Sequence, residues 1–351
     1  MQGLSRLFSH LYGVRFAPAA TAPGEVWHDD VRRLDVLSDT DGHIAVVYCD
    51  LFQRAGKNPN PAHFTVRCSR EILPADIPHD NDGMATAPSA SGALYQLPTI
   101  ALICDFSSSP STTGTNTPPL LAFHEVTTLF HEMGHAIHSI LGRTAYHEVA
   151  GTRCATDFAE LPSILMEHFA HSPAVLALFA RHHATDAPLP QELLRRRMLA
   201  STHLEHSETY QQALLALLDQ ELHAGPPMEI ASSTRVYAQL EAEHALLAPG
   251  YVPGTAWQGF FTHLFGYGGL YYSYLLDKAI ADRVWTAVFA NDPLSRDAGE
   301  RYREEVLRWG GARDPWRCVG SLLAREDLAE EAAVAGRMEE VGRWGIKEQI
   351  K

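Results

Sequence analysis

The sequence predicts an α+β fold, mainly helical, in which a small β-sheet leads into a larger helical body. Three observations carry this expectation. Short β-branched runs bounded by Gly, Pro, Asn or Asp crowd residues 26–110. From Leu120 onward, apolar residues recur at the 3.6 spacing of amphipathic helices, and the pattern mostly holds to residue 351. Between the two regions, "SSSPSTTGTNTPP" (107–119) is polar and without period, as a loop is.

Taken in order, the chain opens on "MQGLSRLFSHLYGVRF", where Leu4, Leu7, Phe8 and Leu11 fall on one helical face. That spacing predicts a core-facing helix. Its rival is a transit peptide, because no acidic residue precedes Glu25, but only Arg6 and Arg15 supply charge. "DVRRLDVLSD", "HIAVVYCDLF", "HFTVRCSR" and "TIALICDFS" then read as strands. "LLAFHEVTTLFHEMGHAIHSIL", "LPSILMEHFA", "QELLRRRMLASTHLEHSETYQQALLALLDQEL", "STRVYAQLEAEHALL" and "LYYSYLLDKAIADRVWTAVFA" read as helices. Pro/Gly breaks at 225–227, 249–254 and 310–315 read as turns inside one domain spanning 1–351, with its helical body over 120–351.

Composition narrows the function. Apolar residues make up 46% of 351, enough for a sizeable core, and 20% charged residues do not suggest disorder. A formal charge of −14 argues against a nucleic-acid partner and suits basic peptides. The cysteines Cys49, Cys68, Cys104, Cys154 and Cys318 are scattered and odd in number, so a reducing compartment is the simpler reading. No apolar run approaches the roughly 18 residues of a membrane span.

Chemistry enters at "TTLFHEMGHAIHSIL" (127–141). His131 and His135 lie four apart, which stacks their imidazoles on one helix face, where both can reach one tetrahedral metal. Glu132 projects beside them and can take a proton from an activated water. Gly134 is a poor helix former, so a packing or access reason must keep it there. His138 sits about 10 Å along the axis from His131, too far to share a metal easily, and reads as a hydrogen-bonded helix histidine. The longer three-histidine pattern fails, since positions 138 and 141 hold His and Leu rather than Gly and His.

The third ligand must therefore come from another segment. In "AGTRCATDFAELPSILMEHFA" (150–170), Glu160 and Glu167 both fit a carboxylate near the start of a second helix. Pro162 suits a first turn. Asp157 reads either as an acceptor for a ligand imidazole or as a helix cap. Further on, "HLFGYGGLYYSY" (263–274) carries His263, Tyr267, Tyr271 and Tyr274 at spacings of four, four and three. One helix face would gather them, whereas Gly266, Gly268 and Gly269 favour a mobile loop before Tyr271. Such donors could steady an oxyanion, or they could be an aromatic packing stripe.

"LFHEMGHAIHSILGRT", "GTRCATDFAELPSILMEHFA" and "FTHLFGYGGLYYSYLLDKAIADRVW" together resemble the thimet-oligopeptidase family. The likeness extends through "GLSRLFSHLYGVRF", "HIAVVYCDLFQRAGKNPNPAHFTVR" and "RDPWRCVGSLL". It implies a zincin-type catalytic region with one Zn²⁺ per chain, held by His131, His135 and Glu160, with Glu167 in support. It implies Glu132 as general base. It places His263, Tyr267, Tyr271 and Tyr274 on the motif that binds substrate and assists the oxyanion. It also implies that the opening helix is internal to the fold, so that no transit peptide is expected in this chain. Within the family, the likeness is strongest to members that remove an N-terminal octapeptide from imported precursors in the mitochondrial matrix. The rivals are a general oligopeptidase acting on short free peptides and a non-catalytic binding module. Two departures stand out. Family members are about twice as long, so their N-terminal helical half is absent here. Many also carry an acid four residues before the first ligand histidine, where this chain has Thr127.

Overall fold

The computed structural model describes residues 1–76, 86–88, 92–107, 120–225, 230–244, 251–330 and 334–348. Residues 108–119 of the polar stretch and parts of two Pro/Gly breaks (226–227 and 249–250) lie outside these described residues. The first helix, α1 (Gln2–Tyr12), buries Leu4, Leu7, Phe8 and Leu11 as its spacing requires. Gly13 ends it at φ 63°, a left-handed conformation that costs glycine little, and its N–H caps the Ser9 carbonyl.

The strands are β1 (Val14–Ala19), β2 (Arg32–Ser38), β3 (Gly42–Phe52), β4 (Ala62–Arg67), β5 (Glu71–Ile72), β6 (Thr86–Pro88), β7 (Leu94–Gln96) and β8 (Thr99–Phe106). Five of them form one sheet in the order β1-β2-β3-β8-β4, and β5, β7 and β6 form a small second sheet. β3 and β8 pair in parallel, and the other pairs are antiparallel. The four runs expected to be strands are β2, β3, β4 and β8. β1 escapes the pattern because Pro18 interrupts it. Proline has no N–H for a ladder bond, and it is tolerated here because β1 is an outer strand of the sheet.

The helical body comprises α2 (Phe123–Leu141), α3 (Leu161–His171), α4 (Pro173–Leu176), α5 (Gln191–His223), α6 (Ile230–His244), α7 (His263–Gly266), α8 (Ser273–Val284), α9 (Arg296–Glu305), α10 (Pro315–Leu323) and α11 (Val334–Glu348). A π-helical turn, Trp285–Phe289, extends α8. The run at 263–274 is thus two short pieces broken by Gly269 at φ 76°, not one continuous helix.

One continuous core joins sheet and helices, from Leu4, Phe8 and Val47 through Phe130, Ile137 and Phe169 to Ile280 and Val319. α2 lies at its centre, packed on β4 and β8 on one side and on α3 on the other. Gly134 has the packing reason its sequence demanded. A β-carbon there would lie 2.4 Å from the Pro162 carbonyl oxygen and 2.5 Å from the Ser163 α-carbon. Its hydrogen lets α2 and α3 touch backbone to backbone. All five cysteines are free, and among the described residues no helix is long and apolar enough to cross a membrane.

Candidate metal centre and active site

The close α2–α3 crossing brings three donors together. His131 and His135 project from α2 with their rings 5.1 Å apart and nearly perpendicular. Glu160, at the N-terminus of α3, turns its carboxylate toward them. Its Oε2 lies 3.4 Å from His131 Nε2 and 3.2 Å from His135 Nε2. One donor atom from each of the three residues falls within 4.8 Å of the others. Glu160 is buried, and Ser163 Oγ lies 2.8 Å from both its carbonyl oxygen and its Oε2, which fixes the carboxylate's direction.

The electrostatics are those of a buried anion that needs a cation. Burial opposes the Glu160 charge, yet the two imidazoles outweigh it and hold its carboxyl well below the usual range. Burial likewise opposes a charged His131, but Glu160 and Glu167 push its pKa up to about 10. A divalent ion would supply the positive charge that protons otherwise bring. Two imidazole nitrogens and one carboxylate oxygen, with room for a fourth ligand, are the donor set of a catalytic tetrahedral site, so the residues fit such an ion. Glu167 Oε1 sits 2.7 Å from His131 Nδ1, which leaves His131 Nε2 to face Glu160. The Thr127 hydroxyl donates to the Phe123 carbonyl of its own helix.

Glu132 is buried beside the donors, on the α2 surface that meets β4. Burial raises its carboxyl above the ordinary value, against the pull of His131 and His135. Two cavities of about 590 Å³ each border the centre at His131, and both are also lined by Glu167, His171 and Glu208. One also reaches His263, Tyr271 and Tyr274, and the other reaches Glu132 and Thr127.

His138 differs from its expectation. It is fully buried, and neither ring nitrogen has a partner among the described residues, so it is not a hydrogen-bonded histidine. Burial, with His135 nearby, lowers its pKa to about 3 and keeps it neutral. Asp157 likewise bonds no imidazole among the described residues. It accepts the Tyr272 hydroxyl at 2.9 Å.

His263, Tyr267, Tyr271 and Tyr274 gather despite the helix break, with ring centroids 5.2–6.1 Å apart between neighbours. The Tyr267 and Tyr274 rings lie 5.7 Å apart, and Tyr267 donates to Glu160 Oε1 at 3.3 Å. Burial raises both phenols, with the Glu160 charge adding to it. Tyr271 instead donates to Gln212 Oε1 of α5 at 2.7 Å.

Sequence reasoning missed the groups that hold these pieces in place. Asp219, fully buried on α5, accepts the Gly269 and Tyr271 amides at 2.9 and 2.8 Å. The glycine-rich link expected to be mobile is thereby tied down. Asp277, fully buried on α8, accepts the Glu160 amide at 3.0 Å. His63 on β4 bonds Ser139 of α2 at 3.0 Å. These partners lie 50 to 117 residues apart in the chain, so no local spacing announces them.

A helix bearing His-Glu-x-x-His, completed by a carboxylate from the helix packed across it on an α+β scaffold, defines the metallopeptidase class. The family-level comparison agrees: residues 1–337 match the model of peptidase family M3, and the chain belongs to that family. It is 55% identical, over 99% of its length, to the mitochondrial intermediate peptidase of Botryotinia fuckeliana. It is 56% identical, over 99%, to that of Phaeosphaeria nodorum, and 51% identical, over 98%, to that of Yarrowia lipolytica. The chain spans about half the length of these relatives: 46%, 45% and 44% respectively. Among solved structures, PZ peptidase A with inhibitor 2 shares the fold, with a TM-score of 0.50 and 16% identity, over 84% of this chain and 43% of that one.

Proposed function

We propose that residues 1–351 act as one catalytic unit of a zinc metalloendopeptidase. In this reading it removes an N-terminal octapeptide from precursor proteins already cut once, in the mitochondrial matrix. The relatives' name, mitochondrial intermediate peptidase, supports the substrate class and the compartment. The observation that carries the chemistry is the convergence of His131, His135 and Glu160 on one point beside a buried Glu132.

His131, His135 and Glu160 would hold one Zn²⁺. When bound, the ion supplies Lewis acidity, polarising the scissile carbonyl and making water acidic enough to lose a proton near neutral pH. Glu132 accepts that proton and later delivers it to the leaving amine. Tyr274, Tyr267 and His263 offer donors to the oxygen that gains negative charge at the attacked carbonyl. Tyr271, bonded to Gln212, forms part of the peptide-binding wall. The two cavities, which share His131 and Glu167, give an extended peptide room beside the centre.

The test combines elemental analysis with cleavage of an intermediate-sized precursor beside a short free peptide. The parent chain is expected to carry one zinc. Glu160→Ala and His131→Ala are expected to lose it, while Glu132→Gln keeps it and cleaves at least about 10²-fold more slowly. Stoichiometric zinc in Glu160→Ala, or near-normal turnover in Glu132→Gln, would reject the corresponding role. Faster cleavage of the short peptide than of the precursor would favour a general oligopeptidase instead.

A further inference from the structure

The N-terminus of α3 presents an unusual problem. The residue at a helix N-cap ordinarily uses its own side chain to bond the first free amides. Glu160 holds that position and makes no such bond, because its carboxylate is turned toward His131 and His135. Pro162 lacks an amide hydrogen and so removes one donor. The Glu160 amide finds its acceptor in Asp277 of α8, at 3.0 Å. Asp277 is wholly buried, and its other oxygen has no partner among the described residues. A buried, half-satisfied carboxylate is costly, and an apolar residue of similar volume would avoid the cost. What the acid adds at this point is a hold on the Glu160 amide.

From this we infer that Asp277 is a positioning residue for the metal centre: it holds the Glu160 backbone at the start of α3 from outside the helix and so leaves the Glu160 carboxylate free and aimed. The same helix, α8, begins with Ser273 and carries Tyr274, and the neighbouring Tyr272 hydroxyl bonds Asp157 just ahead of α3. Two ties, Asp277 to the Glu160 amide and Tyr272 to Asp157, therefore join the segment bearing the tyrosines to the segment bearing the third donor. Metal affinity and the placement of Tyr274 become coupled through one buried carboxylate. Residues that orient a ligand in this way ordinarily carry a 10- to 100-fold share of metal affinity.

The inference rests on Glu160 being a ligand, so its test separates the two. Zinc affinity is measured by chelator competition, and the visible spectrum is recorded with cobalt(II) in place of zinc. The variants are Asp277→Ala, Asp277→Asn, Glu160→Ala and Ile280→Ala. Ile280→Ala deletes a buried side chain on the same helix without touching Glu160. Asp277→Ala is expected to bind at least about 10-fold more weakly and to shift the cobalt bands. Asp277→Asn keeps an acceptor oxygen and is expected to restore most of the affinity. Ile280→Ala is expected to lower the melting temperature while leaving affinity and spectrum unchanged. Should Asp277→Ala not fold, Asp277→Leu, which fills the volume without an acceptor, replaces it. Parent-like affinity and spectrum in the alanine or leucine variant would overturn the positioning role, as would an equal affinity loss in Ile280→Ala. Parent-like zinc binding by Glu160→Ala would instead remove the ligand assignment beneath it.

Discussion

Single side chains around the centre separate binding from support. Glu167 touches no donor atom that faces Glu160. Its bond to His131 Nδ1 fixes the tautomer that leaves Nε2 free. Glu167→Ala is therefore expected to weaken zinc binding about 10- to 100-fold without abolishing it, measured by the same chelator competition. His138 makes a different prediction. Its folded pKa of about 3 lies below its ordinary 6.5, so the folded chain binds fewer protons there than the unfolded chain does. The stability this contributes is complete above about pH 6.5 and is lost as pH falls toward 3, at about 1.4 kcal/mol per pH unit for one proton. His138→Leu, in metal-free protein, is expected to flatten the fall in melting temperature over that window. It also removes two unpartnered nitrogens, which cost on the order of 1–3 kcal/mol when buried. A melting profile as steep as the parent's would show that His138 is not the group titrating.

At the scale of elements, the centre is a property of the α2–α3 contact. Neither helix holds three donors alone. Gly134 sets the distance between them, since any β-carbon there would meet backbone, which cannot swing aside as a flexible side chain can. Gly134→Ala is favourable for an isolated helix by about 1 kcal/mol. In this fold it is expected to destabilise by about 1–3 kcal/mol through overpacking and to lower zinc affinity by pushing Glu160 away from the histidines. Denaturation and zinc titration of that one variant give both numbers. A gain in stability with unchanged affinity would show that the crossing relaxes without moving the donors.

For the whole molecule, the relevant fact is that the chain matches about half of its relatives. Phe260 is 87% exposed and Phe265 97% exposed, beside the motif that carries His263 and Tyr267. Apolar surface of that kind associates in water. The 351-residue chain is expected to self-associate with rising concentration and to cleave weakly, by light scattering and by precursor assay. Phe260→Ser combined with Phe265→Ser is expected to reduce the association. Co-expression with the portion of a relative outside the matched region is expected to restore solubility and raise cleavage. A monomer with the full activity of a relative would contradict this.

The sequence by itself determined six of the helices (α1, α2, α3, α5, α6 and α8), four of the five strands of the main sheet, and the placing of His131, Glu132 and His135 on one helix, with the expectation of a third donor from another segment. Each rests on short-range periodicity: 3.6 for helices, 2 for strands, and the i, i+4 stacking that puts His131 and His135 on one face. Spacing alone left Glu160 and Glu167 both open, and only the resemblance favoured Glu160 as the ligand. In the folded chain, Gly134 lets α3 cross α2 so that Glu160 faces both Nε2 atoms while Glu167 meets Nδ1. The structure also decided that His138 has no hydrogen-bond partner among the described residues, that Asp157 serves Tyr272, and that Asp219 and Asp277 hold segments 50 and 117 residues away. Such contacts depend on where distant backbones pass each other. A one-dimensional pattern repeats only over the few residues of a turn or a pleat, so it holds no trace of them.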